Sequence, residues 1–192
     1  MSTIAPFNHS EHFMALRSTI HKAELHIADS DRGYYASHVV TVARHPSETD
    51  ERMMTRLLAF ALHATADDDL AFTRGLSESD EPDLWRRDLT GHIVQWIETG
   101  LPDDRRILKA CGRADDVIVL AYGRNVSILW HGVRDKVARA RKLRVYSLSQ
   151  EGTAALAGLA ERSMTLHINV QDEIAYVSSD AGMATVAVQR LR

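Results

Sequence analysis

Between residues 17 and 28 apolar side chains recur among polar ones: Ile20, Leu25 and Ile27 fall among polar neighbours. That alternation predicts a half-buried strand. Asp29-Ser30-Asp31-Arg32-Gly33 is a turn cluster, and residues 34–44 read as the returning strand of a hairpin with one wet face. The period then lengthens. Ser47 looks like a helix N-cap with Asp50 three residues on, and Met54, Leu57, Leu58 and Ala61 share one face of a helix running to about Ala64. Leu70–Arg74 is a short strand, and 84–98 a hairpin turning near Asp88–Gly91. Pro102 can open a helix whose positive end suits Asp103 and Asp104. That helix ends near Gly112, with Ile107, Leu108 and Cys111 as its expected buried face.

Residues 117–122 (VIVLAY) are nearly continuous in apolar character, as in a strand covered on both sides. Val126, Leu129, Trp130, Val133 and Val137 recur at helical spacing and predict a helix over 125–139. A strand over 143–148, a helix of small residues from 149 to about 162, and strands over 164–171, 173–178 and 183–190 complete the pattern. No internal repeat or linker interrupts it. The expectation is one mixed α/β (α+β) domain over 14–192, after a loose leader over 1–13.

Composition narrows the class. A chain of 192 residues with 45% hydrophobic and 26% charged residues has globular proportions. Its one cysteine, Cys111, can form no intrachain disulfide, which suits a reducing compartment. No apolar run approaches the ~18 residues of a membrane helix, and the first residues lack a signal-peptide pattern. A cytoplasmic location and no membrane association are expected. The net charge of −3 argues against broad polyanion binding. Yet Arg134, Lys136, Arg139, Arg141, Lys142 and Arg144 stand against Asp135 alone, a local patch suited to phosphates.

The candidate chemistry is acidic. Glu51 lies on the first predicted helix, Asp83 follows Pro82 at the mouth of the 84–98 hairpin, and Glu98 ends its second arm. Side chains alternate along a strand, so Glu98 shares a face with Trp96. Two such acids can clamp a magnesium ion, which takes oxygen ligands and can activate water against a phosphodiester. The bland alternative is structural: the acids of DEPDLW as solvated loop residues, Glu48 and Glu51 as helix-start residues, and Glu98 paired with Arg105 or Arg106.

Several strings together resemble the YaeQ family of bacterial proteins: MALRSTIHKAELHIAD, ARHPSETDERMM, FTRGL, DEPDLW, WIETGLPDDRRI and SMTLHINVQD, spanning Met14 to about Gln189. The resemblance implies a variant of the restriction-endonuclease-like PD-(D/E)XK core, with additional strands forming a second sheet. By that resemblance Asp83 and Glu98 match the metal-holding acids, with Mg as the implied cofactor, and Glu51 matches the acid of the first helix. The chain departs from the pattern at Gly100, where the motif has lysine. Lys109 on the next helix is the candidate substitute, although its helical position points away from the buried face.

Two functions follow. One is a Mg-dependent, nuclease-like phosphodiesterase, with Glu51 and Lys109 as catalytic groups. The other is a non-catalytic protein on a degenerate core, binding nucleic acid or an unidentified protein through Arg134, Lys136, Arg139, Arg141 and Lys142. Neither reading settles an oligomeric state. The ten histidines show no zinc spacing, and His9 and His12 fall in the leader. No nucleotide-binding glycine pattern or nucleophile elbow is present.

Overall fold

The computed structural model describes residues 18–192 except 68 and 79. The expected leader, the His9–His12 pair and the proposed start of the domain at Met14 lie outside the described residues. β1 (Thr19–Asp29) and β2 (Tyr34–Arg44) form the expected hairpin, in continuous register from Thr19↔Arg44 to Asp29↔Tyr34. Buried and less buried positions alternate along β1, as its sequence pattern requires.

α1 (Asp50–His63) starts two residues later than its expected cap would place it. Thr49, not Ser47, is the N-cap, and its hydroxyl accepts from the Arg52 backbone N–H at 3.2 Å. Ser47 instead pairs with its neighbour His45. Residues Met53 to Leu62 are all buried, so α1 is enclosed on every side rather than laid on a surface.

A single ten-stranded sheet encloses it, in the order β2-β1-β8-β9-β10-β7-β6-β5-β4-β3. The remaining strands are β3 (Leu70–Phe72), β4 (Leu84–Arg87), β5 (Ile93–Thr99), β6 (Ala114–Ala121), β7 (Leu143–Leu148), β8 (Ser163–Gln171), β9 (Ile174–Ser179) and β10 (Gly182–Arg190). The extra strands therefore form no separate second sheet. The end of β10 pairs with β7 through Val188↔Leu148, Gln189↔Ser147 and Arg190↔Tyr146, and this joins the two halves. Leu25 of β1, Ile168 of β8, Val186 of β10, Leu120 of β6 and Ile97 of β5 all pack into the core around α1. The C-terminal carbonyls of α1 accept from both ends of the nearly closed sheet. Arg32, in the β1–β2 turn, donates to Ala61 O and Ala64 O at 3.0 Å, and Arg86 of β4 donates to His63 O at 3.1 Å. Cations suit the negative end of a helix.

The outer face of β5, β6 and β7 carries a second apolar cluster, to which Trp96, Ile107, Ala110, Val119, Val137 and Val145 contribute. α2 (Asp104–Arg113) and α3 (Val126–Val133) stand beside these strands. On α2 the buried residues are Ile107 and Ala110, whereas Leu108 is 46% exposed, contrary to expectation. α3 ends at Val133 rather than 139, and the chain runs on in turns such as Ala140 N–H to Val137 O. α4 (Gln150–Ala157) is likewise shorter than its pattern suggested. No described helix is long and apolar enough to cross a membrane.

One stretch positions the site. It runs through α1, the antiparallel strands β3–β4–β5, the α2 crossover and β6, which is parallel to β5. The carboxyl ends of β5 and β6 open onto the start of α2 and onto Tyr122. Ligands of open α/β sheets bind at such edges.

Candidate functional site

Three charged residues sit four apart around the start of α1: Glu48, just before its N-cap, and Arg52 and Arg56 within it. That spacing stacks the two arginines on one face of the helix. Glu48 is 2% exposed and Arg56 is fully buried. Arg52 Nη1 donates to Glu48 Oε1 at 2.9 Å, and Arg56 Nη1 donates to both Glu48 oxygens at 3.2 Å. Arg56 also reaches Ala43 O at 3.2 Å and Thr73 O at 3.4 Å. Its guanidinium lies over the Phe72 ring, with Gly75 closing behind it at φ +56°. A buried guanidinium needs this density of acceptors, because desolvating a charge is otherwise costly.

Asp83 enters this network from the residue before β4. Its backbone N–H donates to Ile97 O at 3.0 Å, which fixes it beside the end of β5. Its Oδ2 accepts from the Thr99 N–H at 2.7 Å and the Thr99 hydroxyl at 2.8 Å. Its Oδ1 accepts from Arg52 Nη2 at 2.6 Å. Burial opposes the charge on Arg52, but Asp83 and Glu48 outweigh it and raise the Arg52 pKa.

Glu98 faces the other way along β5, toward α2, on the face it shares with Trp96. Trp96 Nε1 donates to Glu98 Oε1 at 2.8 Å. Arg106 donates to the same carboxylate through Nε at 2.8 Å and Nη2 at 3.2 Å. The alternative of a structural ion pair with Arg106 is therefore what the structure contains. Asp103 caps α2 by accepting from the Arg106 N–H at 2.8 Å, and this sets the arginine's position on the first turn. Burial raises the Glu98 pKa above its ordinary value; Arg106 pulls it down, and the Asp83 charge adds to the rise.

Both acids line one open cleft of about 460 Å³, with Arg52, Thr99, Gly100, Arg106 and Tyr122. The Tyr122 hydroxyl is pushed up to about 12, first by burial, against the opposing charge of Arg52. Gly100, where the motif has lysine, lies at φ +91°. Side chains rarely adopt that conformation, so a lysine there would be strained.

The other expected residues stand apart. Glu51 accepts at Oε1 from the Thr153 hydroxyl of α4 at 2.7 Å, and Lys109 is exposed and donates to Asp80 at 2.7 Å; neither lines the cleft. In the basic run, Arg134 lies 3.5 Å from Asp135, Lys136 3.1 Å from Asp104 and Lys142 3.7 Å from Asp115. Arg139 and Arg141 are exposed and make no ion pair among the described residues. The Lys136–Asp104 contact ties the run to α2, whose preceding residues Leu101 and Pro102 form the cleft rim. Sequence reasoning missed Arg52, Arg56, Thr99 and Tyr122, and read Glu48 only as a helix-start residue. The Glu-x3-Arg-x3-Arg spacing was the available signal for Glu48, Arg52 and Arg56.

The sequence profile described as YaeQ protein matches residues 14–188. The chain is 47% identical over 166 residues to a protein of Salmonella typhi, covering 86% of this chain and 91% of that one. It is 45% identical over 168 residues to one of Escherichia coli (strain K12), covering 87% and 92%. Both are described as uncharacterized protein YaeQ. Two crystal structures share the fold. The YaeQ protein from Xanthomonas axonopodis pv. citri superposes with a TM-score of 0.87 at 46% identity, covering 91% of this chain and 98% of that one. The YaeQ protein from Pseudomonas syringae superposes with a TM-score of 0.86 at 36% identity, covering 91% and 96%.

Proposed function

The chain belongs to the YaeQ family, and from the charge pairing in its cleft we propose that it binds the phosphate backbone of nucleic acid without hydrolysing it, on a variant nuclease-like core. The order α1, β3–β4–β5, α2, β6 supports the nuclease-like reading. The observation that carries the rest is the state of the two acids. Asp83 is held by Arg52 and Thr99, and Glu98 by Arg106 and Trp96.

Magnesium needs carboxylate oxygens free to face it, usually with waters and substrate phosphate completing an octahedron. Here a guanidinium already occupies that side of each carboxylate. Among the described residues no group of three or more His, Cys, Asp or Glu side chains converges to hold a metal ion. As paired, the donor set does not fit magnesium. No side chain at Gly100 can supply the motif's cation, and Lys109 is turned to Asp80.

The same arginines suit a phosphate ligand, since a guanidinium matches its oxygens in geometry and charge. The unpaired Arg139 and Arg141 extend that attraction along the surface. Fluorescence anisotropy with labelled single- and double-stranded oligonucleotides tests the reading. Replacing Arg139 and Arg141 by glutamine should weaken binding to all sequences alike. On duplex DNA it should lower the salt slope by about 2, roughly 0.9 per phosphate contact. Unchanged affinity and slope would remove the basic run from the account.

The competing reading is a Mg-dependent phosphodiesterase, with Asp83 and Glu98 holding the metal and Glu51 and Lys109 in support. It is favoured by the opening of both acids onto one cleft. It requires Arg52 and Arg106 to leave those acids when metal binds.

A further inference from the structure

Asp83 has two cations within reach, and they are not equivalent. Arg52 Nη2 sits at 2.6 Å from Oδ1, and Arg56 Nε at 3.7 Å from the same oxygen. Arg52 has 17% of its side chain exposed and lines the cleft; Arg56 has none exposed and does not. Among the described residues Arg56 Nε is also buried without a hydrogen-bond partner, while both its terminal nitrogens are bonded. A buried N–H seldom stays unpaired.

We propose that Arg52 is the cleft's ligand-binding cation: it leaves Asp83 for a phosphoryl oxyanion, and Arg56 closes on the aspartate in its place. This deepens the phosphate-binding reading of the cleft and rests on it. A buried carboxylate cannot be left without a counter-charge, so a releasable arginine needs a reserve. Closing the Arg56–Asp83 gap from 3.7 Å to an ordinary ~2.9 Å hydrogen bond is a shift of under ~1 Å. Arg52 keeps its second nitrogen on Glu48 and can pivot there. The Thr99 N–H and hydroxyl hold Asp83 Oδ2 throughout. Arg106 is the less free of the two cleft arginines, because it is tied both to Glu98 and to Glu81 O at 2.8 Å.

The test follows the Arg56 Nε–H signal by NMR in 15N-arginine-labelled protein, assigned with an Arg56→Lys variant. In Arg52→Gln that signal should move downfield and exchange more slowly, and the melting temperature should fall less than in Arg56→Gln. Dimethyl phosphate, a phosphodiester monoanion, should reproduce the shift in the wild type and have no effect on Arg52→Gln. An unmoved Arg56 signal in Arg52→Gln, or an Arg52→Gln chain that does not fold, would show Arg52 to be a fixed counter-ion and overturn the proposal. A shifted signal in the variant with no response to dimethyl phosphate would overturn it equally, whatever oligonucleotides do at the basic run. Conversely, indifference of oligonucleotides to Arg139 and Arg141 leaves this readout intact, so the two failures are distinguishable.

Discussion

Replacing Asp83 by asparagine keeps the shape of the side chain and removes its charge. Three contacts bear on the cost: the 2.6 Å bond from Arg52 and the bonds from the Thr99 N–H and hydroxyl at 2.7 and 2.8 Å. Asparagine would retain one acceptor oxygen and turn an NH₂ group toward a donor. Glu48 alone would then face Arg52 and Arg56, with Arg56 fully buried. Breaking one member of a buried ion pair costs ~3–5 kcal/mol, because the remaining charge stays desolvated. Hydrogen bonds to a charged group contribute about 1.5–3 kcal/mol each, so the two figures are consistent. Against a total stability of ~5–15 kcal/mol that is a large fraction. For a chain of 192 residues it corresponds to a fall in Tm of roughly 6–20 °C. Urea unfolding followed by tryptophan fluorescence measures it, and Trp96, bonded to the cleft residue Glu98, reports from beside the cleft. A loss under ~1 kcal/mol, or a gain, would refute the view of Asp83 as a structural keystone. It would point instead to an acid held under strain for a function.

Two further predictions concern other parts of the fold. His63 is pushed down to about 3, first by burial and then by Arg32 and Arg144, and its Nε2 is buried without a partner among the described residues. The unfolded chain therefore binds more protons between pH 6.5 and 3, and stability should fall as pH falls through that window, by up to ~1.4 kcal/mol per unit. In His63→Leu the fall in urea midpoint from pH 7 to pH 5 should be shallower; an identical fall in both proteins would show that His63 is not its source. Gly152 on α4 has Thr185 O 2.4 Å and Val186 Cα 2.8 Å from where a Cβ would stand. Gly152→Ala should therefore destabilise by ~1–3 kcal/mol through overpacking, against a helix-propensity gain of at most ~1 kcal/mol. A variant as stable as the wild type would mean that the α4–β10 contact is looser than described.

Local patterns made much of the fold legible. β2 and β7 coincide with the spans read from the sequence, because alternation and short apolar runs are local signals. Trp96 and Glu98 were placed on one face by the strand period alone, and the indole–carboxylate bond confirms it. The Glu98–Arg106 pair was within reach as an alternative, since only the short Thr99–Asp103 connection and the start of α2 separate the two. The enclosure of α1 was not legible. Its apolar stripe predicted one buried face, while burial on the other sides depends on strands far away in sequence, such as β8 and β10. The union of the two half-sheets rests on three non-local pairs between β10 and β7, which no local pattern announces.

At the site, acids were easier to read than their partners. Asp83 stood out beside a proline at a hairpin mouth, whereas the cation that neutralises it lies 31 residues earlier. Arg56 was hidden among apolar neighbours, and its acceptor Thr73 is 17 residues away. Glu51 drew notice by its position on α1, yet its side chain turns to α4, and of the residues on α1 it is Arg52 that lines the cleft.

The most direct test of a binding cleft without turnover is to titrate Mg²⁺ and Mn²⁺ by calorimetry into the wild type and Glu98→Ala, alongside oligonucleotide binding and cleavage assays with metal or with EDTA. The account predicts no saturable metal binding at millimolar concentration, and oligonucleotide binding that is the same with either addition and leaves the strand intact. Saturable metal binding lost in Glu98→Ala, together with metal-dependent cleavage by the wild type, would contradict it and establish the hydrolase reading instead.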